Sequence, residues 1–221
     1  MIVRLALLLA TTVGPGQPGQ TTESTAQPIF TPLSITRIGK NVFMVRDPLT
    51  MTFKDGAPAI TVPAGFVTEL ASVPKRLQWW EGKTEVSVAP AVFHDYLYWT
   101  QACTQDEADA VMHQAMRALG GGNSKVAATY QSVNSSGSAA FKSNTDRRRN
   151  GEVRTFTPEY VSIVVQSPFD ANETLGTALQ KAQAASGLVK HESPSPAVKL
   201  TCARLLYQCK GCRDHLAKKK R

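Results

Sequence analysis

Two helical segments separated by a short polar break constrain the fold of this chain more than any other feature. Ser87 to Trp99 reads as a helix opened by Ser87, with Pro90 in its first turn, where a missing N–H costs nothing. Thr104 with Glu107 three residues on forms a capping box. Ala108, Val111, Met112, Ala115 and Leu119 then recur at helical spacing until Gly120-Gly121-Gly122 ends the run. Helices joined by so short a connection lie antiparallel, so residues equally far from the turn at Gln101 to Cys103 face one another. His94 is thereby expected opposite Asp109, with Tyr98 four residues along on the face of His94.

An imidazole whose second nitrogen is held by a carboxylate is what a general base needs, because the carboxylate fixes the tautomer and stabilises the charged form. Asp95 points to a neighbouring face, where it can take a cation or a water. Two other readings stay open. His94, Asp95 and Asp109 are also a suitable ligand set for one divalent metal. Alternatively, His94 and Asp109 are a buried polar pair that pins the hairpin, with Tyr98 adding a hydrogen bond.

An ordered series of motifs surrounds this pair: Val62-Pro-Ala-Gly65-Phe-Val-Thr68-Glu69-Leu-Ala-Ser72-Val-Pro74, then Trp79-Trp80, then Ala91-x-x-His94-Asp95-Tyr-Leu-Tyr98, then Glu107-Ala-Asp109. Over roughly residues 30 to 135 the series resembles domain-of-unknown-function family 1353. That resemblance implies a phage or prophage setting, virion components as partners, and no assigned activity. The family usually carries Thr-Asp where this chain has Thr68-Glu69, which puts any role of that shorter carboxylate in doubt. A weaker, local resemblance is to the helix pair of secreted phospholipase A2, where His-Asp-x-x-Tyr meets an aspartate on the antiparallel helix. It implies His94 as base, Asp95 as ligand of a divalent cation such as calcium, Tyr98 as hydrogen-bond donor and Asp109 as orienter. The glycine-rich calcium loop of those enzymes has no counterpart upstream of His94, and only Cys103 stands where their disulfides would be.

The net charge of +8 suggests nucleic acid until it is located. Between Lys199 and Arg221 eight Lys or Arg residues face only Asp214, so this tail carries +7 and the rest of the chain +1. A protein-wide basic field is thereby excluded. The tail also holds an apolar stripe of Val198, Cys202, Leu205, Leu206 and Cys209. It reads as a docking helix with a solvated basic end, or as a contact for anionic membrane or nucleic acid. Cys209, Cys212 and His215 have zinc-like spacing without a second close pair. In an oxidising compartment Cys209 with Cys212, or a tail cysteine with Cys103, becomes a reasonable disulfide; Cys202 and Cys209 are too far apart within one intact helix.

At the N-terminus, Arg4 followed by Leu5 to Ala10 resembles a signal segment with a poor cleavage site at Ser24-Thr25-Ala26. Export, virion association and a cytoplasmic location all stay open. Gly14 to Pro28 reads as a disordered linker. Asn41 to Arg46, Leu49 to Phe53 and Ala59 to Val62 read as strands of a small antiparallel sheet, with a turn at Lys54-Asp55-Gly56. Val62 to Pro74 is read as the loop leaving that sheet. Its Thr68, Glu69 and Ser72 are candidate lining of a cleft beside the hairpin, although turn and capping roles account for Thr68 and Ser72 equally. Lys125 to Val133 is read as a third helix, Ser135 to Asn150 as a polar loop holding the solvated Asp146-Arg147-Arg148-Arg149, Tyr160 to Gln166 as a strand, and Asn172 to Ala185 as a helix. The expectation is an α+β fold: a small antiparallel sheet packed with a helical hairpin, plus a C-terminal helical extension. The divisions are 1–28 leader and linker, 29–135 the main domain, 136–195 an extension and 196–221 the basic tail.

Overall fold

A computed structural model describes residues 27–70 and 85–219, apart from 168, 169, 171, 186, 188, 191 and 193. The signal-like segment, Ser72 and Trp79-Trp80 lie outside the described residues. The fold is α+β, with two three-stranded antiparallel sheets and seven helices among the described residues.

The first sheet grows from the hairpin of β4 (Leu49–Thr52) and β5 (Ile60–Val62), paired Leu49 to Val62 and Met51 to Ile60. Alternation sends Leu49, Met51, Ile60 and Val62 into the core and leaves Thr50 and Thr61 to bond each other on the open face at 3.0 Å. Gly56 takes a φ of +74° in the turn. β1 (Ile29–Phe30), which sequence reading missed, pairs with the other side of β4. The expected third strand joins a different sheet. It is β3 (Phe43–Val45), which sits between β2 (Ile35–Arg37) and β6 (Val67–Thr68). β6 lies within the stretch expected to be loop; two residues are too few to show alternation.

α1 (Glu85–Thr100) begins two residues before Ser87, so Ser87 does not cap it, and Pro90 lies inside the helix and not in its first turn. From Ala89 to Thr100 every residue is buried. A helix enclosed on all sides needs apolar residues all round, which is why α1 has so little amphipathic pattern. α2 (Gln105–Ala118) starts at the Thr104 capping box as expected, and the connection turns through Gln101 in the left-handed region at φ +53°.

α3 runs from Asn123 to Arg149, three times the expected length, and passes through residue 135 without a break. The Ser-Ser-Gly stretch inside it is therefore helix, not loop. Gly137 accounts for the unusual composition: a Cβ there would run into the Tyr98 hydroxyl, so glycine permits α3 to close on α1. Asp146 to Arg149 forms the last turn of this helix. Arg148 donates to the Thr100 carbonyl at the end of α1, and Arg147 binds Glu152 through two contacts.

Pro158–Gln166 is helix α4, where a strand was expected. Thr157 at the N-cap position and Pro158 at the first turn start a helix, and Tyr160, Val161 and Val164 then pack on one side, while Ile163 and Val165 stay exposed. The β-branched content had pointed the other way, but β-propensity yields to packing context. α5 (Leu175–Ala184) follows, capped by Thr174.

The tail is two helices, α6 (Ala197–Gln208) and α7 (Lys210–Lys219), broken at Cys209. Val198, Cys202 and Leu205 are buried in the main core, so the apolar stripe docks. Thr201 donates to the Pro58 carbonyl at 2.7 Å, and Arg204 pairs with Asp55 in the β4–β5 turn. Disulfides join Cys103 to Cys202 and Cys209 to Cys212. No described helix is long and apolar enough to cross a membrane.

Candidate functional site

The hairpin brings His94 Nε2 to 2.8 Å from Asp109 Oδ1. Tyr98, one turn beyond His94, donates its hydroxyl to the same oxygen at 2.6 Å. The other oxygen of Asp109 accepts from Asn134 Nδ2 at 3.0 Å, and Asn134 also donates to Asp106. Asp109 is fully buried and bonded through both oxygens, so its position is fixed from three directions. Asn134 lies one residue beyond the helix that the sequence predicts, Lys125 to Val133. The signal was present: Val126, Tyr130, Asn134, Gly137, Phe141 and Asn144 recur at helical spacing if Asn and Gly are allowed in the inward stripe.

The other ring nitrogen of His94 is the anomaly. Nδ1 is buried without a hydrogen-bond partner, and the nearest carboxylate oxygen across an ion-pair distance is Asp95 Oδ1 at 3.9 Å. Burial by itself lowers the affinity of this ring for a proton. The bond to Asp109, the side-chain contact with Asp95 and the charges of both carboxylates more than reverse this and hold it at about 9. His94 is therefore an imidazolium at neutral pH in this state. Burial first, and then the charge of Asp109, push the Tyr98 hydroxyl far above its ordinary value, so it stays a donor.

Asp95 is held from the sheet side. Thr68, in β6, donates its hydroxyl to Asp95 Oδ2 and accepts the Leu70 N–H at 3.0 Å, so it serves the turn and the carboxylate together. Gly65 makes this possible: at φ +87° it sits so close to Phe156 that a Cβ would strike the Phe156 carbonyl. The strand-like segment Val153 to Phe156 consequently lies along β6, with Val67 donating to the Arg154 carbonyl at 2.8 Å. Arg154 is delivered to the site this way, its guanidinium 4.5 Å over the Trp99 ring. No local motif announces it.

A cleft of about 200 Å³ opens here, lined by Glu69, Asp95, Tyr98, Asn144, Arg147 and Arg154 among others. Glu69 is exposed at its rim. His94 is not in the lining; at 1% exposure it stands behind Asp95 and Tyr98. A larger cleft of about 510 Å³ lies elsewhere, between β2, α4 and α5.

The imidazole stands between the two carboxylates, so His94, Asp95 and Asp109 do not converge on a single point where one metal ion could touch all three. Among the described residues, the group with metal-ligand spacing is His113, Cys209 and Cys212. His215, singled out by its spacing to Cys212, packs its ring on Tyr130 instead, at 5.6 Å. His113 comes from α2, and nothing in its sequence neighbourhood marks it. Burial and the charge of Arg117 hold His113 down at about 4, a neutral ring at neutral pH.

A protein-family profile described as a protein of unknown function (DUF1353) matches residues 43–133. The match runs from β3 into α3 as far as Val133, and includes the whole hairpin, Thr68 and Glu69. No curated protein and no solved structure matches the chain.

Proposed function

We propose that the hairpin carries a hydrolase-type site in which His94 activates a water reaching it past Asp95. One observation carries this reading: a ring fixed through Nε2 by Asp109, with Nδ1 buried and facing, at 3.9 Å and without a direct hydrogen bond, the Asp95 carboxylate that lines the cleft. Buried polar nitrogens almost always complete a hydrogen bond, and the gap between Nδ1 and Asp95 leaves room for a water or hydroxyl to complete this one. Asp109, Tyr98 and Asn134 hold the ring; Arg154 in the cleft suits an ester with an anionic group nearby. Neutralising Asp95 removes one of the charges that keep His94 protonated, and so shifts the ring toward the free base that proton abstraction needs. A divalent cation at Asp95 would supply that neutralisation and polarise a carbonyl or phosphoryl oxygen.

Hydrolysis of anionic phospholipid vesicles and of a small acidic ester, with calcium or chelator, tests this on wild type, His94→Gln and Asp95→Asn. Activity that falls at least about 100-fold in His94→Gln and loses its calcium dependence in Asp95→Asn, with both variants still folded by circular dichroism, is the expected result. Calcium is further expected to lower the His94 titration midpoint read by NMR. If wild type is inactive on every substrate, and calcium leaves that midpoint unchanged, the hydrolase reading falls.

The near-complete burial of His94 and its value of about 9 favour a second reading: a non-enzymatic accessory protein of phage or prophage, pinned by an ion-paired hairpin. That setting is supported by the family resemblance and is tested by retention of the protein on purified virions.

A further inference from the structure

Away from the His94 site, two helices bring three ligand-type atoms together. His113 projects from α2, Cys209 sits at the break between α6 and α7, and Cys212 lies in the first turn of α7. His113 Nδ1 is 3.4 Å from Cys209 Sγ, and the ligand atoms of all three residues lie within 4.8 Å of one another. Both cysteines are buried in a small apolar cluster with Ala110 and Tyr130. Cys212 N–H donates to Cys209 Sγ at 3.2 Å, the kind of contact that favours a thiolate. Tetrahedral zinc, with Zn–S of about 2.3 Å and Zn–N of about 2.0 Å, places adjacent sulfur and nitrogen ligands about 3.5 Å apart. The His113–Cys209 spacing already meets this. Cys209-x-x-Cys212, with Cα atoms 5.2 Å apart, can close as a disulfide or open around an ion.

We propose that His113, Cys209 and Cys212 form a zinc-type metal site that the Cys209–Cys212 disulfide closes and reduction opens. A dithiol reductant passes two electrons and two protons to the Cys209–Cys212 bond and leaves as its own disulfide. Metal binding then releases both thiol protons to solvent and takes the sulfurs as thiolates, with the His113 ring as third ligand and a water as fourth. The Cys103–Cys202 bond is separate: neither of its sulfurs belongs to this cluster.

The test titrates the full chain with Co²⁺, oxidised and after dithiol reduction, followed by competition with Zn²⁺. Thiolate-to-cobalt charge-transfer absorption at one ion per chain is expected only after reduction. It is expected to be lost in Cys209→Ser, and zinc affinity to drop at least about 10-fold in His113→Ala. Alkylation of the reduced wild type gives a readout that needs no variant: zinc is expected to slow modification of Cys209 and Cys212 and to leave the rates at the core cysteines Cys103 and Cys202 unchanged. Absence of the charge-transfer band after reduction, its survival in Cys209→Ser, undiminished affinity in His113→Ala, or a zinc effect equal at all four cysteines would each overturn the proposal.

Discussion

His94, which is buried, and Glu192, which is half-buried with both carboxylate oxygens covered, make stability depend on pH in overlapping windows. The folded value of His94, about 9, lies above its ordinary 6.5, so its contribution is fully present below about 6.5 and disappears as pH rises through 9. At 1.36 kcal/mol per unit this is about 3 kcal/mol. Denaturant unfolding at pH 6 and pH 10 should show that loss in wild type and a much flatter profile in His94→Gln. Glu192 has both carboxylate oxygens buried without partners, and burial raises it to about 7 against the pull of Arg148 and Lys190. A carboxyl raised in the folded state favours folding below its unfolded value near 4.5 and loses that advantage as pH climbs through 7. Glu192→Gln should accordingly stabilise the protein at pH 8 by roughly 1–3 kcal/mol and change little at pH 4, measured by the same unfolding curves. At this scale His94, Asp109 and Tyr98 are legible because helical spacing aligns His94 with Tyr98 and the short antiparallel connection sets Asp109 opposite. Asn134 and Arg154 were not, because their approach depends on α3 and on the segment beside β6.

Helix ends and close approaches decide the elements. The α2 start is a matter of local chemistry: Thr104→Ala removes one half of the capping box and should cost about 1 kcal/mol in thermal or denaturant unfolding, with the hairpin otherwise intact. The middle of α3 is a matter of fit. Gly137→Ala gains in helix propensity, yet its new methyl meets the Tyr98 hydroxyl, which is held by Asp109 and cannot easily yield. A net loss of about 1–3 kcal/mol is expected, with the His94 resonance displaced in NMR spectra. A stabilised protein with an unmoved resonance would contradict that contact. This explains why α2 could be read from its residues and α3 could not. The Ser-Asn-Gly composition of α3 carries weak propensity, and its helix is retained by what it packs against. α4 shows the converse, a β-branched run turned helical by Thr157, Pro158 and the one-sided burial of Tyr160, Val161 and Val164.

Across the whole molecule, the C-terminal helices work as a clasp. Cys103–Cys202 ties α6 to the hairpin turn across 99 residues of sequence, and Thr201 and Arg204 fasten the same helix to the β4–β5 hairpin. Closing a loop of this length is worth about 4–5 kcal/mol in a chain-entropy account. The double variant Cys103→Ala/Cys202→Ala should lose a comparable amount in denaturant unfolding, with proteolysis beginning in α6. With Val198, Cys202 and Leu205 packed in the core, α6 presents Leu200 and Tyr207 outward.

The sequence by itself determined the hairpin, its capping box, the β4–β5 turn and the apposition of His94 and Asp109, because each depends on contacts within a few turns of chain. Tertiary structure alone decided the second sheet, the length of α3, the arrival of Arg154 and Asn134, and the convergence of His113 on Cys209 and Cys212. In each of those cases the partner is distant in sequence, and a local pattern holds no record of which distant surface it will meet.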